Sequence, residues 1–183
     1  MLLEREINST HCLGRPPNEW NQLERETLQG FGMTEEGLVV YKIDLRGGRA
    51  CFCGCTFQWK PGETISEPHS VKGEKTAGLY AAPFQNPYWS NRWWDSEVGK
   101  STRLLLLLMK PDAFLSCNGF EVKASAFTVL DEMPRNSERA GRFLASSSFA
   151  FIEYNFSLLQ QASQKARSWD DVIEIFQQAR GHF

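Results

Sequence analysis

Residues 103–109 read RLLLLLM, an apolar run that ends at a Lys-Pro-Asp turn, residues 110–112. An unbroken run of this kind is typical of a strand that is buried on both faces. It is also far too short to cross a bilayer. We therefore expect this segment to be a central strand of a sheet.

Further strands are predicted on both sides of this run. Leu38 to Ile43 is rich in β-branched and aromatic residues and is bounded by glycines. Asn118-Gly119 predicts a type I′ hairpin turn, because both residues tolerate positive φ. Phe120 to Leu130 is then the expected partner strand, and Pro61-Gly62 predicts another turn.

Helices are predicted at both ends of the chain. Asn18 to Gln29 has helical spacing of apolar residues, and Gly30 is expected to end that helix. Ser137 to Ser146 and Phe149 to Ala166 predict two more. The last helix follows Ser168 as N-cap and carries an apolar stripe of Trp169, Val172, Ile173 and Phe176.

The order helix, sheet, helices predicts an α+β fold with a mainly antiparallel sheet, one N-terminal helix and two or three C-terminal helices. The length of 183 residues fits one domain. We divide it into an N-terminal helical segment (1–37), a sheet core with a long aromatic loop (38–132) and C-terminal helices (133–183).

Charge and cysteine content narrow the function classes. The chain has 20 Lys and Arg against 22 Asp and Glu, a net charge of -2. This balance argues against broad electrostatic binding to nucleic acid or to a membrane. Five cysteines, an odd number without a disulfide-framework spacing, predict reduced thiols in the cytoplasm.

The alternating cysteines Cys51, Cys53 and Cys55 are a candidate metal site. Alternate residues of a strand lie about 6–7 Å apart, too far for three thiolates to share one tetrahedral ion. We therefore expect small buried thiols. His69 has no second histidine nearby in sequence, and no metal is predicted.

Tyr41, Lys42, Asp44 and Arg46 give the first strand a distinctive pattern. It resembles the opening strand of the toxin-type ADP-ribosyltransferases, in which an arginine follows the tyrosine and helps to hold NAD. The resemblance implies NAD binding by Tyr41, Lys42 and Arg46. Lys42 keeps the charge of that arginine but lacks its planar fork. The alternative is an ordinary strand with Lys42 and Asp44 on its solvent face.

A second resemblance runs through residues 38–132, to an uncharacterised group of small phage and bacterial proteins. Its motifs are Tyr41-Lys42, the aromatic-x-x-Gly turn at 59–62, and Gly78-Leu79-Tyr80. This group looks like a relative of the transferase fold, so the resemblance bears on fold more than on activity.

The transferase resemblance also implies a glutamate on a later strand, which stabilises the ribose as nicotinamide leaves. The paired Glu-x-Glu or Gln-x-Glu form is absent. Glu121, just after the expected hairpin turn, is the nearest strand glutamate and the candidate catalytic residue. Glu97 and Glu132 are expected in less ordered contexts. For each, a surface carboxylate is the competing interpretation.

An aromatic tract lies between the sheet segments. Rings interleaved with polar residues are typical of a pocket that stacks on a base or on nicotinamide. They also serve to bury a loop that lacks regular structure. The tract comprises Tyr80, Phe84, Tyr88, Trp89, Trp93 and Trp94.

Two functions remain open at this stage. The first is an ADP-ribosyltransferase-like domain, of the phage or bacterial effector kind and possibly degenerate. Tyr80, Trp89, Trp93 and Trp94 would close its NAD pocket, and its acceptor would be an unidentified protein or nucleic acid. The second is a non-catalytic module for protein–protein interaction through an aromatic surface.

Overall fold

The computed structural model describes residues 14–44, 58–66, 78–86, 103–147 and 155–180. These residues form four α-helices and two antiparallel sheets, so the predicted α+β class is confirmed. The strands are β1 (Leu38–Asp44), β2 (Thr64–Ser66), β3 (Leu79–Ala81), β4 (Arg103–Met109), β5 (Phe114–Cys117), β6 (Val122–Ala124) and β7 (Ala126–Pro134). The helices are α1 (Gln22–Phe31), α2 (Glu138–Ser147), α3 (Phe156–Lys165) and α4 (Trp169–Arg180).

The larger sheet has the strand order β1-β4-β7-β2. The leucine-rich strand β4 is therefore internal, as predicted, and Leu104 to Leu107 are fully buried. It pairs with β1 from Leu38 opposite Met109 to Asp44 opposite Arg103. Polar residues at this last pair mark one end of the sheet.

The two faces of the larger sheet are covered by different layers. Helices α2, α3 and α4 pack on one face, which we call the helix face, against Val39, Tyr41, Leu104 and Leu106. The smaller sheet, of order β3-β6-β5, and helix α1 cover the opposite face. That face carries Leu38, Val40, Leu105, Leu107, Phe127 and Val129.

Residues 78–86 wrap around the edge of β1. Leu79 belongs to the core beside the smaller sheet, whereas Phe84 packs in the core beneath the helices. Between them, Ala82 and Tyr41 exchange two backbone hydrogen bonds of 2.9 Å. The edge of β1 is thus paired at this point.

The predicted hairpin exists, but the predicted turn type is wrong. Strands β5 and β6 pair around residues 118–121, and neither Asn118 nor Gly119 has positive φ. Instead, the side-chain oxygen of Asn118 accepts hydrogen bonds of 2.8 Å from the backbone N–H groups of Phe120 and Glu121. Hydrogen bonds to the Asn118 side chain therefore stabilise this turn, which lacks the left-handed backbone conformation of a type I′ turn.

The expected long partner strand is divided in two. Ser125 interrupts it and donates its backbone N–H to Ala113 O at 2.8 Å. Before this break β6 belongs to the smaller sheet, and after it β7 belongs to the larger sheet. One continuous run of sequence therefore joins the two sheets.

Strand β7 contains a β-bulge. Leu106 pairs with Asp131, but Leu107 pairs with Val129, so Leu130 has no partner on β4. The extra residue reverses the alternation of side chains beyond it. Asp131 consequently faces the helices, and Glu132 shares the opposite face with Arg103.

The first helix is displaced from its predicted limits. Asn21 and Glu24 form a capping box, which makes Asn21 the N-cap, so the helix begins at Gln22 and not at the predicted Asn18. The helix continues through Gly30 to Phe31, and Gly32, whose φ is 104°, is its C-cap. The prediction that Gly30 ends it was wrong.

The C-terminal helices agree better with the sequence. Ser168 and Asp171 cap α4 as predicted, and its stripe of Trp169, Val172, Ile173 and Phe176 is buried. Helix α2 begins after Ser137, close to the expected start. Helix α3 begins at Phe156 and not at Phe149, because Asn155 is its N-cap and accepts the backbone N–H of Leu158 at 3.1 Å. The expected unbroken helix from Phe149 to Ala166 was therefore wrong at its start.

Candidate functional site

The candidate site lies at the end of the larger sheet where β1 finishes. Lys42 and Asp44 share the face of β1 opposite the helices, because side chains of a strand alternate. The ammonium of Lys42 donates a 2.9 Å hydrogen bond to Tyr80 O of β3 and lies 5.9 Å from the ring centroid of Trp59. Lys42 is therefore half-buried where the two sheets meet, not on an open solvent face.

Burial determines the protonation behaviour of Lys42. It lowers the pKa of the ammonium to about 8, and the carboxylates of Asp44 and Glu121 oppose that change. At pH 7 the side chain is still mostly cationic. A ligand anion at this ammonium would restore part of the stabilisation that burial removes.

Arg103 organises the neighbouring charges. Its Nε donates to Asp44 at 2.8 Å, one Nη pairs with Glu132, and the other donates to Trp59 O at 2.5 Å. Arg103 thus links β1, β4 and β7 to the chain segment that ends in the Pro61-Gly62 turn. Asp44 is only 9% exposed, and among the described residues its second oxygen, Oδ1, has no hydrogen-bond partner.

Glu132 is the functional candidate that sequence reasoning misplaced. It was expected in a less ordered context, yet it lies within β7 and pairs with Arg103. The bulge at Leu130 turns it to this face, and no simple alternation of apolar residues would predict that orientation. Glu121 lies instead in the exposed loop between β5 and β6.

Tyr41 lies on the other side of the strand from Lys42. Its ring is buried against Phe84, with the centroids 5.7 Å apart, and its hydroxyl donates to Asn86 O. Tyr41 therefore fixes residues 82–86 to the sheet, and Lys42 fixes Tyr80 of β3. The ring of Tyr80 lies under the ammonium of Lys123 at 5.2 Å.

The structure thus brings together Lys42 and Tyr80, and the charge of Glu121 opposes the lowering of the Lys42 pKa by burial. Tyr41 adjoins them through the backbone but faces the helices. Arg46, Trp89, Trp93 and Trp94 lie outside the described residues, as do Cys51, Cys53, Cys55 and His69.

Two features of the described residues concern metals and membranes. These residues contain no group of three or more His, Cys, Asp or Glu side chains that could hold a metal ion. None of the described helices combines the length and hydropathy needed to cross a bilayer.

Comparisons with known proteins gave no match: no family model, curated protein or solved structure is similar to this chain.

Proposed function

We propose that the chain is an ADP-ribosyltransferase-like domain that binds NAD at the end of the larger sheet marked by Lys42. The observation that carries the proposal is the convergence on the Lys42 ammonium of a strand carbonyl, an indole ring and the field of two carboxylates. A cation beside aromatic and acidic groups suits a ligand that has a pyrophosphate, flat bases and a cleavable sugar bond.

Lys42 is assigned to the pyrophosphate of NAD. A lysine ammonium has three N–H donors, and one of them is used on Tyr80 O. Among the described residues no second hydrogen bond to this ammonium is formed, which leaves donors for a phosphate oxygen. Arg103 is not assigned to the ligand, because each of its three guanidinium nitrogens already donates a hydrogen bond and its charge is paired with the carboxylates of Asp44 and Glu132.

Glu121 is assigned to the reaction. In the proposed step the nicotinamide–ribose bond breaks and nicotinamide leaves with the bonding electron pair. The carboxylate of Glu121 stabilises the resulting oxocarbenium-like ribose. A nucleophilic oxygen or nitrogen of a protein or nucleic-acid acceptor then bonds to the ribose carbon that nicotinamide has left, and loses its proton to the solvent.

Calorimetry with NAD tests the binding proposal. Wild-type protein should bind NAD, and Lys42→Met should weaken binding about tenfold or more, the effect of losing one charge-assisted hydrogen bond. Lys60→Met is the matched control, since Lys60 is exposed beside Trp59 and should leave the affinity within about twofold. No heat with wild type, or equal losses in both variants, would refute the proposal.

Nicotinamide release from NAD tests the catalytic assignment separately. Glu121→Gln should reduce the rate about 100-fold with little change in NAD affinity, because the carboxylate acts mainly on the developing positive charge. Binding without release by wild type would show a degenerate, non-catalytic domain. A larger loss in Glu132→Gln than in Glu121→Gln would transfer the role to the glutamate of β7.

A further inference from the structure

Asp44 has a buried carboxylate oxygen that no group of the described residues satisfies. The residue is 9% exposed at the end of β1, and its Oδ2 accepts the Nε–H of Arg103 at 2.8 Å. The other oxygen, Oδ1, has no hydrogen-bond partner among the described residues. A buried charged acceptor without a donor destabilises a fold, and native proteins seldom retain one that has no function.

Arg103 holds only one side of this carboxylate. Its three guanidinium nitrogens donate to three different groups, namely Asp44, Glu132 and the carbonyl of Trp59. These bonds fix the guanidinium at Oδ2 of Asp44. The donor that would complete the carboxylate must therefore come from another group.

Lys42 has the complementary property, since its donors outnumber its acceptors. It lies two residues before Asp44 on the same face of β1. Its ammonium donates to Tyr80 O at 2.9 Å, and among the described residues it forms no ion pair, because Asp44 pairs with Arg103 instead. Trp59 places the two side chains at one site, since its ring lies 5.9 Å from the ammonium and its carbonyl binds Arg103.

A group that fits both side chains must accept a hydrogen bond from an ammonium and donate one to a carboxylate. A hydroxyl does both through one oxygen, at about 3 Å from each partner. A phosphate oxygen suits Lys42 but is repelled by Asp44, and an ammonium group suits Asp44 but is repelled by Lys42. The pair of side chains therefore selects an alcohol, such as a sugar hydroxyl.

We propose that Oδ1 of Asp44 accepts one ribose hydroxyl of the dinucleotide, and that the oxygen of this hydroxyl accepts from Lys42. The inference rests on the proposed binding of NAD and adds the residue that selects for ribose. Of the three N–H donors of Lys42, one stays on Tyr80 O, one holds the hydroxyl and one remains for the pyrophosphate. Oδ1 is enclosed in this structure, so the ligand reaches it by displacing a side chain. Lys42, with a flexible stem and one hydrogen bond, is the least constrained neighbour.

Calorimetry of the full chain with NAD and its deoxy analogues tests this contact. Each of four analogues lacks one ribose hydroxyl. One of them should bind wild type about tenfold or more weakly than NAD does, the loss expected for one hydrogen bond to a charged group, and the others within about threefold. Asp44→Asn should reduce this preference to about threefold or less. The amide oxygen must face Arg103, so an N–H donor replaces the acceptor at Oδ1.

Glu132→Gln is the matched control, because it removes the other carboxylate of Arg103 and leaves Oδ1 in place. It should keep the preference for the hydroxyl. A purely structural role of Asp44 would weaken NAD and the analogue equally, so a preference retained in Asp44→Asn would overturn the inference. If Asp44→Asn does not fold, Lys42→Met replaces it, since the same hydroxyl accepts from Lys42 and the preference should again fall.

The wild-type titrations separate this inference from the proposed function. Equal affinities for NAD and all four analogues would mean that only water meets Oδ1, and would overturn the inference while NAD binding stands. No binding of NAD or of any analogue would overturn both.

Discussion

The two faces of the larger sheet differ in the charged side chains that they carry. On the helix face, Tyr41, Leu104 and Leu106 meet the apolar sides of three helices, and the only carboxylate that reaches them from β7 among the described residues is Asp131. On the opposite face, β1, β4 and β7 carry four charged residues at one end of the sheet: Lys42, Asp44, Arg103 and Glu132. Half-buried charges lower stability unless they are paired. The apolar helix face therefore stabilises the fold, whereas the charged end of the opposite face is the part of the sheet that is suited to binding or catalysis.

Trp169→Ala should give the largest effect, by breaking the helix face. Trp169 is fully buried against Phe84 and Phe143, and its indole N–H donates to Leu104 O at 3.2 Å. The free energy of unfolding should fall by about 3–5 kcal/mol in urea denaturation.

Leu23→Ala is the control for this truncation. Leu23 is 73% exposed on α1, and its loss should change the free energy of unfolding by less than about 0.5 kcal/mol. Equal effects of the two variants would show that the helix layer does not stabilise the sheet.

Arg103→Met should give an intermediate effect, by breaking the charged end. The variant leaves Asp44 buried without its cation and also frees Glu132 and the carbonyl of Trp59. We expect a loss of about 1–3 kcal/mol, the range for an unsatisfied buried polar group.

Arg142→Met provides the matched control for that charge. Arg142 pairs with Asp170 at 3.2 Å, and both side chains are about half exposed. Exposed pairs contribute at most about 1 kcal/mol, so this variant should be close to wild type. If thermal or urea unfolding ranked Arg142→Met below Arg103→Met in stability, the Arg103 network would not be a structural element.

Lys42→Met should give the smallest effect at pH 7 and a larger one as the pH rises. Burial lowers the pKa of Lys42 to about 8 in the folded chain, against 10.5 for a lysine that is exposed, as in the unfolded chain. Between these values the unfolded chain binds a proton that the folded chain has released, so wild-type stability should rise with pH. The slope cannot exceed about 1.4 kcal/mol per pH unit for one proton, and partial exposure keeps it below that limit.

The measurement is the difference in unfolding free energy between wild type and Lys42→Met from pH 7 to 10.5. It should be constant below pH 8 and should then shift in favour of wild type. A difference that moved in favour of the variant above pH 8 would mean that the folded state holds the Lys42 proton more tightly than the unfolded chain does.

The sequence predicted the fold better than the candidate site. The leucines of β4 and the capped stripe of α4 are local patterns, and both were found where they were expected. Lys42 was harder to place, because its half-buried position depends on Trp59 and on Tyr80, far away in sequence. Glu132 was misplaced for the same reason: its neighbours come from β4, and a single inserted residue sets its orientation.

The unpaired Leu130 shifts the alternation of side chains in the rest of β7 by one residue. Each residue after it lies on the face opposite to the one that strict alternation would give. Asp131 therefore contacts Arg139 and the N–H of Trp169, and Glu132 contacts Arg103. Deleting Leu130 would place Val129 and Asp131 at consecutive positions opposite Leu107 and Leu106, so that Asp131 and Glu132 would keep their faces and their partners in a regular ladder. A related chain with a one-residue gap at position 130 should accordingly keep both the helix cap and the charged end, whereas a chain that has the residue but no bulge would exchange the two acids.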